Sequence, residues 1–472
     1  MINNMLRLIT KRRAAVVALA CGLVACDQVK NDLLEATDPD IIDPSSVQSP
    51  AGALAVYNGA LARLRLMTTG SGNAGTEGTW LLGGLLADEW STTSTFVQND
   101  EVDERQTSVA NSSVNGSLRA IYRVPLAANQ AVELLEKFQP TLTTDVAEMY
   151  FARGFAELQL ASDFCNGIPL SDATKDPQVL GTPLSVADMF NTAVASFDSS
   201  LAIATGTDAA TVRIASAAKI GKARALLGLN LSNASAAAAL VKGIPTTFSY
   251  DVTSSLTGGN NGVWGQGASQ RRYNVGDSLE GNAHNILVKN AIPFFSAHDP
   301  RLPVVYTISS KGDTTKSQDG ITYSRTTPLY GQTTSMPVVN GIDARLIEAE
   351  AALQGGDAAG MISILNGLRA TKLTLGTVTY NASALPALAD PGAADARVDL
   401  LFREKAFWTF SRGERLGDLR RLIREYGRTA DQVFPVGQHY RGTTYGPDVN
   451  LPITQDEING NPNFTGCTDR KA

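Results

Sequence analysis

The chain has 472 residues, of which 43% are hydrophobic, and it carries a formal net charge of −6. This length is enough for at least one large buried core. The acidic balance disfavours nucleic acid and anionic lipid as the principal partner.

The N-terminal segment has the pattern of a secretory signal. Basic residues between positions 7 and 13 precede the apolar run AAVVALACGLVAC, which is too short to span a bilayer. The run ends in Leu23-Val24-Ala25-Cys26, which is similar to the lipobox of bacterial lipoproteins, where the cysteine is lipidated and becomes the new N-terminus. We therefore expect residues 1–25 to be a signal peptide and Cys26 to carry lipid. An ordinary signal peptide with an incidental cysteine is the alternative.

The next segment has the composition of a tether. Residues 26–48 are acidic and proline-containing, as in an extended spacer, and residues 49–472 are predicted to form a single domain. Removal of the four basic residues of the signal would change the net charge from −6 to −10. No later stretch has transmembrane length, so the mature protein is expected to be anchored to a membrane by lipid rather than to cross it.

Helical periodicity dominates most of the domain. The patterns predict helices from Pro50 to about residue 67, and near 114–138, 143–163, 185–204, 211–241, 341–354, 357–370, 395–411 and 414–426. Three segments resemble one another: ARGFAELQL from Ala152, ARALLGLNL from Ala223 and ARLIEAEAAL from Ala344. Their alternation of small and large residues is typical of stacked helical hairpins of the tetratricopeptide type. We expect such repeats over about 49–241 and 341–426.

The stretch from about residue 242 to 339 has a different character. It is rich in Gly, Asn, Thr and Ser, as in SLTGGNNGVWGQGASQRRYNVGD. We interpret it as a long, loop-rich excursion from the helical frame. Long excursions of this kind often carry binding surfaces.

Motifs for catalysis are weak. GSGNAG at Gly70 follows a predicted helix rather than a strand, so it does not indicate a dinucleotide site. The three histidines are widely spaced, and no G-x-S-x-G or H-E-x-x-H is present. His298, in SAHDPRLP, is interpreted as part of a turn. The pair Asp88 and Glu89 and the acidic run 100–104 allow a glycosidase or a calcium site, but solvated loop charge is the simpler interpretation.

A charged run near the C-terminus, LFREKAFWTFSRGERLGDLRR, combines arginines with carboxylates at helical spacing. Mixed signs at i+3 and i+4 indicate ion pairing along helices rather than a phosphate-binding patch. The aromatic residues of the run are expected to form a packed face: Phe402, Phe407, Trp408 and Phe410.

Taken in order, several segments resemble the SusD/RagB family of outer-membrane lipoproteins. The similar pieces are FREKAFWTFSRGERLGDLRRL, LPITQDEINGNPNF, ARLIEAEAALQGGDAAGMISILNGLRA, AEMYFARGFAELQLASDFCNGIPL and DPRL. With the lipobox, these pieces run from Cys26 to Phe464. The resemblance implies a mainly α, SusD-like fold, with a tetratricopeptide-like scaffold beneath an irregular, ligand-facing half.

The same resemblance implies a binding protein rather than an enzyme. From the motifs of the chain we expect no cofactor and no metal, with calcium at the acidic run as the alternative. Family members lie on the outer face of the outer membrane over a SusC-type TonB-dependent transporter. They capture an oligosaccharide or peptide and present it for import. For this chain the expectation is therefore a cell-surface, lipid-anchored nutrient-binding protein with such a transporter as partner. A helical-repeat scaffold for other envelope proteins, or a surface glycoside hydrolase, are the alternatives.

Aromatic side chains in loops are the first candidates for ligand binding, because sugar rings stack on aromatic faces. The chain is poor in such residues, with 7% aromatics and four tryptophans. Trp90 and Phe96 lie in DEWSTTSTF, and Trp264 and Tyr273 lie in the excursion. We expect these four to contact ligand, with buried packing as the alternative for each.

Two cysteines are left once the signal and the lipid anchor are assigned. Cys165 and Cys467 form an even pair in an oxidising compartment, and neither has a neighbouring histidine or cysteine. We predict that they form a disulfide that fixes the C-terminal tail to the helical frame.

Overall fold

A computed structural model of the chain describes residues 47–71, 77–172, 174, 177–281 and 284–472. The signal peptide, most of the tether and Cys26 lie outside these residues. In the described part the helices are α1 Pro50–Thr69, α2 Thr79–Leu86, α3 Val97–Asp103, α4 Ser112–Phe138, α5 Thr143–Asp163, α6 Val186–Ile203, α7 Ala209–Leu229, α8 Ala234–Val241, α9 Gly262–Trp264, α10 Gly341–Gln354, α11 Ala358–Arg369, α12 Ala394–Trp408, α13 Arg415–Arg424, α14 Ala430–Val433 and α15 Gln455–Gly460.

The strands are short and form two-stranded antiparallel pairs. They are β1 Trp90–Thr92, β2 Ile168–Pro169, β3 Pro183–Leu184, β4 Ser249–Val252, β5 Tyr273–Val275, β6 Leu279–Glu280, β7 Ile286–Leu287, β8 Val305–Tyr306, β9 Arg325–Thr326, β10 Met336–Asn340, β11 Lys372–Leu375 and β12 Val378–Asn381. The pairs are β1 with β5, β2 with β3, β4 with β10, β6 with β7, β8 with β9, and β11 with β12. The mainly α fold class expected from the sequence is confirmed.

Two helix boundaries show how local capping signals act. Ser185 and Asp188 form the capping box at the start of α6 that their spacing predicts. The single helix predicted over 211–241 is divided at Asn230, which is a correction. The side-chain oxygen of Asn230 accepts a hydrogen bond from the backbone N–H of Ser232 at 2.8 Å, so the residue ends α7 and caps the short 3-10 turn that follows.

The helices pack as successive neighbours in a stacked array. The array runs α1–α4–α5–α6–α7–α8–α10–α11 through pairwise contacts. Small residues make the close approaches possible: a Cβ on Gly221 or Gly228 would lie within about 2.5 Å of the rings of Phe197 and Phe190, respectively. Packing of large rings over small residues is the feature that the three similar segments predict. Residues Pro50–Ala472 form one compact unit.

The arginines of α13 connect this helix to the ends of two scaffold helices. Arg420 donates to the carbonyls of Ala161 and Ser162, in the last turn of α5. Arg421 and Arg424 donate to Leu227 and Gly228, in the last turn of α7. Carbonyls in the last turn of a helix have no partner within the helix, and cations are favoured there. The expected ion pair along α13 is present between Arg421 and Asp418. The shorter polar contacts of the α13 arginines are made to other helices.

Buried ion pairs complete the scaffold. Glu350 of α10 lies 2.5 Å from Arg421 and 3.3 Å from Lys405, and it accepts a hydrogen bond from the Tyr426 hydroxyl at 2.7 Å. Burial alone would raise the pKa of Glu350, but the charges of Arg421 and Lys405 outweigh it and hold that pKa far below its usual range. The aromatic residues of the same run are buried, as expected.

The C-terminal tail is fixed to the end of α5. Cys165 and Cys467 form a disulfide with a Cα–Cα separation of 5.9 Å. Backbone hydrogen bonds flank it, from Cys165 N to Leu451 O and from Thr468 N to Asn166 O. The predicted pairing is thus present, and it closes a segment of 302 residues.

The excursion leaves and re-enters the scaffold through one strand pair. Ser249 of β4 is opposite Asn340 of β10, so residues 253–335 project between two adjacent strands. Strand β1, in the loop after α2, pairs with β5 of the excursion. None of the helices in the described ranges combines the length and the apolar character required to cross a bilayer.

Candidate functional site

The excursion carries a continuous group of ring side chains at its surface. We call this group the aromatic platform; its members are His284, Phe295, His298, Tyr306 and Tyr323. The rings come from four short segments of the chain, and each ring is paired with at least one other. His298 and Tyr323 are exposed and the other three are half-buried, and the exposed fraction of Tyr323 is 43%.

Phe295 lies at the centre of the platform. Its ring is stacked on that of His284, with centroids 5.9 Å apart, and it meets Tyr306 edge-on at 5.2 Å. The His298 ring lies 6.2 Å away on another side. These separations lie in the range of favourable aromatic pairs, so the rings hold one another in place.

Hydrogen bonds fix the orientation of the outer rings. The Tyr306 hydroxyl lies 3.2 Å from Nε2 of His284, and Nδ1 of His284 lies 3.3 Å from the carbonyl of Leu279. Because a carbonyl only accepts, Nδ1 carries the proton in the neutral ring and Nε2 accepts from the tyrosine. Tyr323 is 6.3 Å from Tyr306, and the Lys316 ammonium lies 3.8 Å from the centroid of the Tyr323 ring.

A buried polar layer supports the platform from below. Arg325 forms a two-contact ion pair with Glu280, at 3.0 and 3.1 Å, and its guanidinium lies 5.3 Å from the Phe295 ring. The side-chain oxygen of Asn274 accepts from the backbone N–H of Arg325 and from the Ser317 hydroxyl. These bonds tie the strands under the rings together, so the platform is a fixed surface rather than a set of independent loops.

Apolar side chains around the platform are unusually exposed. Most of the large exposed hydrophobic residues of the described chain lie in the excursion: Leu256, Leu279, Leu287, Val305, Ile308, Ile321 and Tyr323. An exposed apolar surface with polar neighbours is typical of binding surfaces. Chemically, the platform offers ring faces for stacking and an ammonium, imidazoles and hydroxyls for hydrogen bonding.

Two of the four residues expected to contact ligand lie in the core. Trp90 is 1% exposed and Tyr273 is 0% exposed, and their rings pack against each other at 6.3 Å. The β1–β5 pairing directs Trp90 inward, where it also packs on Phe410 and its indole N–H donates to Ser411. In this conformation both residues support the site from inside and present no face to solvent.

The other two expected residues are at or near the surface. Phe96 is 39% exposed, and the Arg272 guanidinium lies 4.3 Å from its ring centroid. The loop before Phe96 meets the excursion through a hydrogen bond from Asp319 N to Thr93 O. The loop that leads into Phe96 therefore meets the turn that leads into Tyr323. Trp264 is half-buried at the end of α9.

The carboxylate pair considered for hydrolysis, Asp88 and Glu89, is inaccessible, whereas Asp100, Glu101 and Glu104 of the acidic run are half-buried. Asp88 and Glu89 are each 1% exposed. Burial raises the pKa of Glu89 to about 8 although Arg415 opposes the shift, and burial together with Glu280 and Asp103 raises the pKa of Asp88 well above its usual range. Across the described residues, no group of three or more His, Cys, Asp or Glu side chains could hold a metal ion.

The sequence pattern does not reveal the platform because its signal is not local. The turn predicted at His298 is consistent with the left-handed backbone of that residue, which has φ of 49°. Its ring nevertheless borders Phe295, which no motif singles out. The available signal is the spacing of Phe295, Tyr306 and Tyr323 in a region with exposed β-branched residues, and only strand pairing brings those three together.

Comparisons with known proteins address the fold. No family model matches the sequence, and no curated protein matches it significantly. A SusD superfamily protein from Parabacteroides distasonis has a TM-score of 0.60 at 14% identity, covering 89% of this chain and 98% of that one. A SusD superfamily protein from Bacteroides vulgatus has a TM-score of 0.57 at 15% identity, covering 89% and 99%.

A third similar structure has a functional name. Surface glycan-binding protein A from Bacteroides uniformis superposes with a TM-score of 0.59 at 13% identity, covering 88% of this chain and 99% of that protein. The coverage extends over nearly the whole length of each of these three proteins, so the likeness concerns the complete architecture and not one helical hairpin. The chain has the SusD-like fold.

Proposed function

We propose that the protein is a glycan-binding lipoprotein of the cell surface and that the aromatic platform is its principal contact with the ligand. The single observation that carries this proposal is the set of paired, exposed or half-buried rings on a fixed polar base. Sugar rings have apolar C–H faces that stack on aromatic side chains, while their hydroxyls require polar neighbours such as Lys316 and His298. The name of the Bacteroides uniformis protein of the same fold supports this class of ligand.

Phe96 and Trp264 are proposed as flanking contacts. The loop that leads into Phe96 meets the turn at Asp319, so a ligand longer than one sugar could extend toward Phe96. Trp90 and Tyr273 are proposed to act indirectly, by holding β1 and β5 in position. The exposed rings count against a scaffold without a nutrient ligand, and the burial of Asp88 and Glu89 counts against a hydrolase.

Membrane attachment and the partner follow from the N-terminal motif and from the family resemblance. We propose that Cys26 is lipidated in the outer membrane and that the bound glycan is delivered to a SusC-type TonB-dependent transporter. Metabolic labelling with a radioactive fatty acid should mark the wild-type protein and not Cys26→Ser. Recovery of both proteins in the membrane fraction with equal label would contradict lipidation at this residue. Affinity purification of the lipidated protein from its own outer membrane should retain the transporter.

Isothermal titration against a panel of soluble oligosaccharides and peptides tests the binding proposal. We expect heat with at least one oligosaccharide and a loss of affinity of about tenfold or more in Tyr323→Ala. Tyr150→Ala, which removes a half-buried tyrosine from α5, is the matched control and should bind normally. Absence of heat with every oligosaccharide, or equal affinity of the Tyr323→Ala variant, would overturn the proposal. Release of shortened sugars from any ligand would show that the protein is an enzyme.

A further inference from the structure

A cleft separate from the aromatic platform lies beside the scaffold helices. It has a volume of about 250 Å³ and is lined by residues of α1, α5, α7, β4 and the loop that follows β4. Its charged lining consists of Arg65, Glu148, Arg213 and Asp251. None of its lining residues belongs to the aromatic platform. The volume suits a ligand of the size of a monosaccharide or a dipeptide.

Arg65 supplies a cation without a counter-ion. Its guanidinium donates to the carbonyls of Gly258 at 2.9 Å and Asn260 at 3.5 Å. Within the described ranges, no carboxylate lies within ion-pairing distance of it, and burial alone lowers its pKa. A half-buried guanidinium that contacts only carbonyls has lost hydration without gaining an ion pair. An anion in the cleft would supply that missing interaction.

The backbone beneath Arg65 is shaped to hold it. A Cβ on Gly259 would lie 2.5 to 2.8 Å from the guanidinium atoms of Arg65, and the residue has φ of 118°. Only glycine is compatible with both the close approach and the left-handed conformation. The guanidinium is therefore held in one position at the cleft rather than moving freely in solvent.

Arg213 supplies a second guanidinium that is only partly neutralised. It lies 4.6 Å from the centroid of the Tyr250 ring, with Nη2 at 3.4 Å from Glu148, and 44% of its side chain is exposed. The two oxygens of Glu148 already accept short hydrogen bonds from Tyr57 at 2.5 Å and Tyr250 at 2.7 Å. The long contact therefore leaves most of the hydrogen-bonding capacity of Arg213 available, because a guanidinium has five N–H groups.

The acidic residues of the lining limit the charge of the ligand. Asp251 accepts a hydrogen bond from the Ser249 hydroxyl, and burial raises its pKa. Glu148 remains beside Arg213. The cleft is thus suited to one anionic group next to hydroxyl or ammonium donors, and a polyanion would be repelled.

We propose that this cleft is a binding site for the carboxylate of a small ligand, held between Arg65 and Arg213. Arginine favours carboxylates because its planar fork can donate two parallel hydrogen bonds. The carboxylate could belong to an acidic monosaccharide or to the C-terminus of a short peptide. Both sources present the same group to the arginines, and the remainder of each supplies the hydroxyl or ammonium donors that suit the side of the cleft at Asp251.

Matched ligand pairs test the site and distinguish the two sources. Binding is measured by isothermal titration with galacturonate against galactose, and with glycylglycine against glycylglycine amide. We expect heat with one or both carboxylate ligands, and affinities weaker by about tenfold or more for the partners that lack the carboxylate. Galacturonate alone would assign an acidic sugar, and glycylglycine alone a peptide end. If neither carboxylate binds, or if the partners that lack the carboxylate bind equally well, the proposal is wrong.

Two variants locate the binding. Arg65→Gln should weaken carboxylate binding by about tenfold or more, whereas Arg63→Gln, which removes the same charge from the same helix outside the cleft, should leave it unchanged. Thr253→Trp places a bulky side chain at the exposed rim and should also abolish binding without touching either arginine. Retained affinity in Arg65→Gln and Thr253→Trp, or equal loss in Arg63→Gln, would contradict the site. Tyr323→Ala should not affect it, so failure here is distinct from failure of the platform.

Discussion

The helical scaffold and the excursion both contain buried ion pairs, but they differ in how much of their apolar surface is exposed. In the scaffold, charged side chains such as Arg421 and Glu350 are buried and join one helix to another. In the excursion, a buried pair such as Arg325 and Glu280 supports short strands, and rings and aliphatic side chains remain at the surface. The scaffold buries its apolar side chains and stabilises the fold. The excursion leaves apolar side chains exposed to water, at a cost in stability. An exposed apolar surface of this kind is typical of a site that binds a ligand or another protein.

The scaffold half of this comparison is tested most strongly at Glu350. Glu350→Ala leaves Arg421 and Lys405 buried without their carboxylate, and we expect a loss of about 3–5 kcal/mol in the free energy of unfolding. Urea denaturation followed by circular dichroism measures it. Asp390→Asn, which breaks the exposed ion pair with Arg397, is the control and should leave the transition unchanged. Equal transitions for both variants would show that the buried pairs do not stabilise the scaffold.

Loss of the disulfide is expected to have the next largest effect on stability. Replacing both Cys165 and Cys467 by alanine releases the C-terminal tail, and we expect the free energy of unfolding to fall by about 2–5 kcal/mol because the closed segment of the unfolded chain is long. Reduction of the wild-type protein should lower the free energy of unfolding by the same amount. Two free thiols detected by mass spectrometry in the exported protein would refute the bond.

The interface between the two regions should respond to pH through Glu89. Burial raises its pKa from 4.5 to about 8, so the folded state holds a proton that the unfolded state has released. The stability from this group is present below pH 4.5 and is lost as the pH rises through about 8. Glu89→Gln, which mimics the protonated form, should lose less stability than the wild type over this interval, by on the order of 1 kcal/mol or more. Parallel pH profiles of unfolding for the two proteins would contradict the shift.

The smallest effect on stability is expected in the excursion. Tyr323→Ala removes a ring that is 43% exposed and should change the free energy of unfolding by about 0.5 kcal/mol or less. Phe407→Ala, in the buried aromatic face, should cost about 3–5 kcal/mol and serves as the contrast. A large loss in Tyr323→Ala would mean that the platform is a structural element rather than a surface kept for binding.

The scaffold is predictable from sequence because its signals are local. Helical periodicity, the capping box at Ser185 and the small residues of the three similar segments each act within a few turns. The break at Asn230 is not predicted because the apolar helical pattern continues on both sides of this residue. A single capping residue within such a run does not show that the helix ends there. The cysteine pair is predictable by elimination, since only Cys165 and Cys467 remain.

The site is not predictable to the same degree because strand pairing over long distances decides which ring faces water. Trp90 pairs with Val275 across β1 and β5, and this places its ring in the core beside Tyr273. Phe295, Tyr306 and Tyr323 belong to no motif in the sequence and meet only after the strands of the excursion have paired. Composition identifies the excursion as the region that carries the aromatic platform, but it cannot identify which residues form the platform.

Hydrogen–deuterium exchange with and without the tightest-binding neutral oligosaccharide tests the central claim most directly. We expect protection on binding in the peptides that contain residues 295–298, 305–308 and 321–325, and no change in α4 to α7. Tyr323→Ala should abolish that protection at the same ligand concentration. Protection confined to the scaffold helices, with the platform peptides unchanged, would contradict the assignment of glycan binding to the excursion.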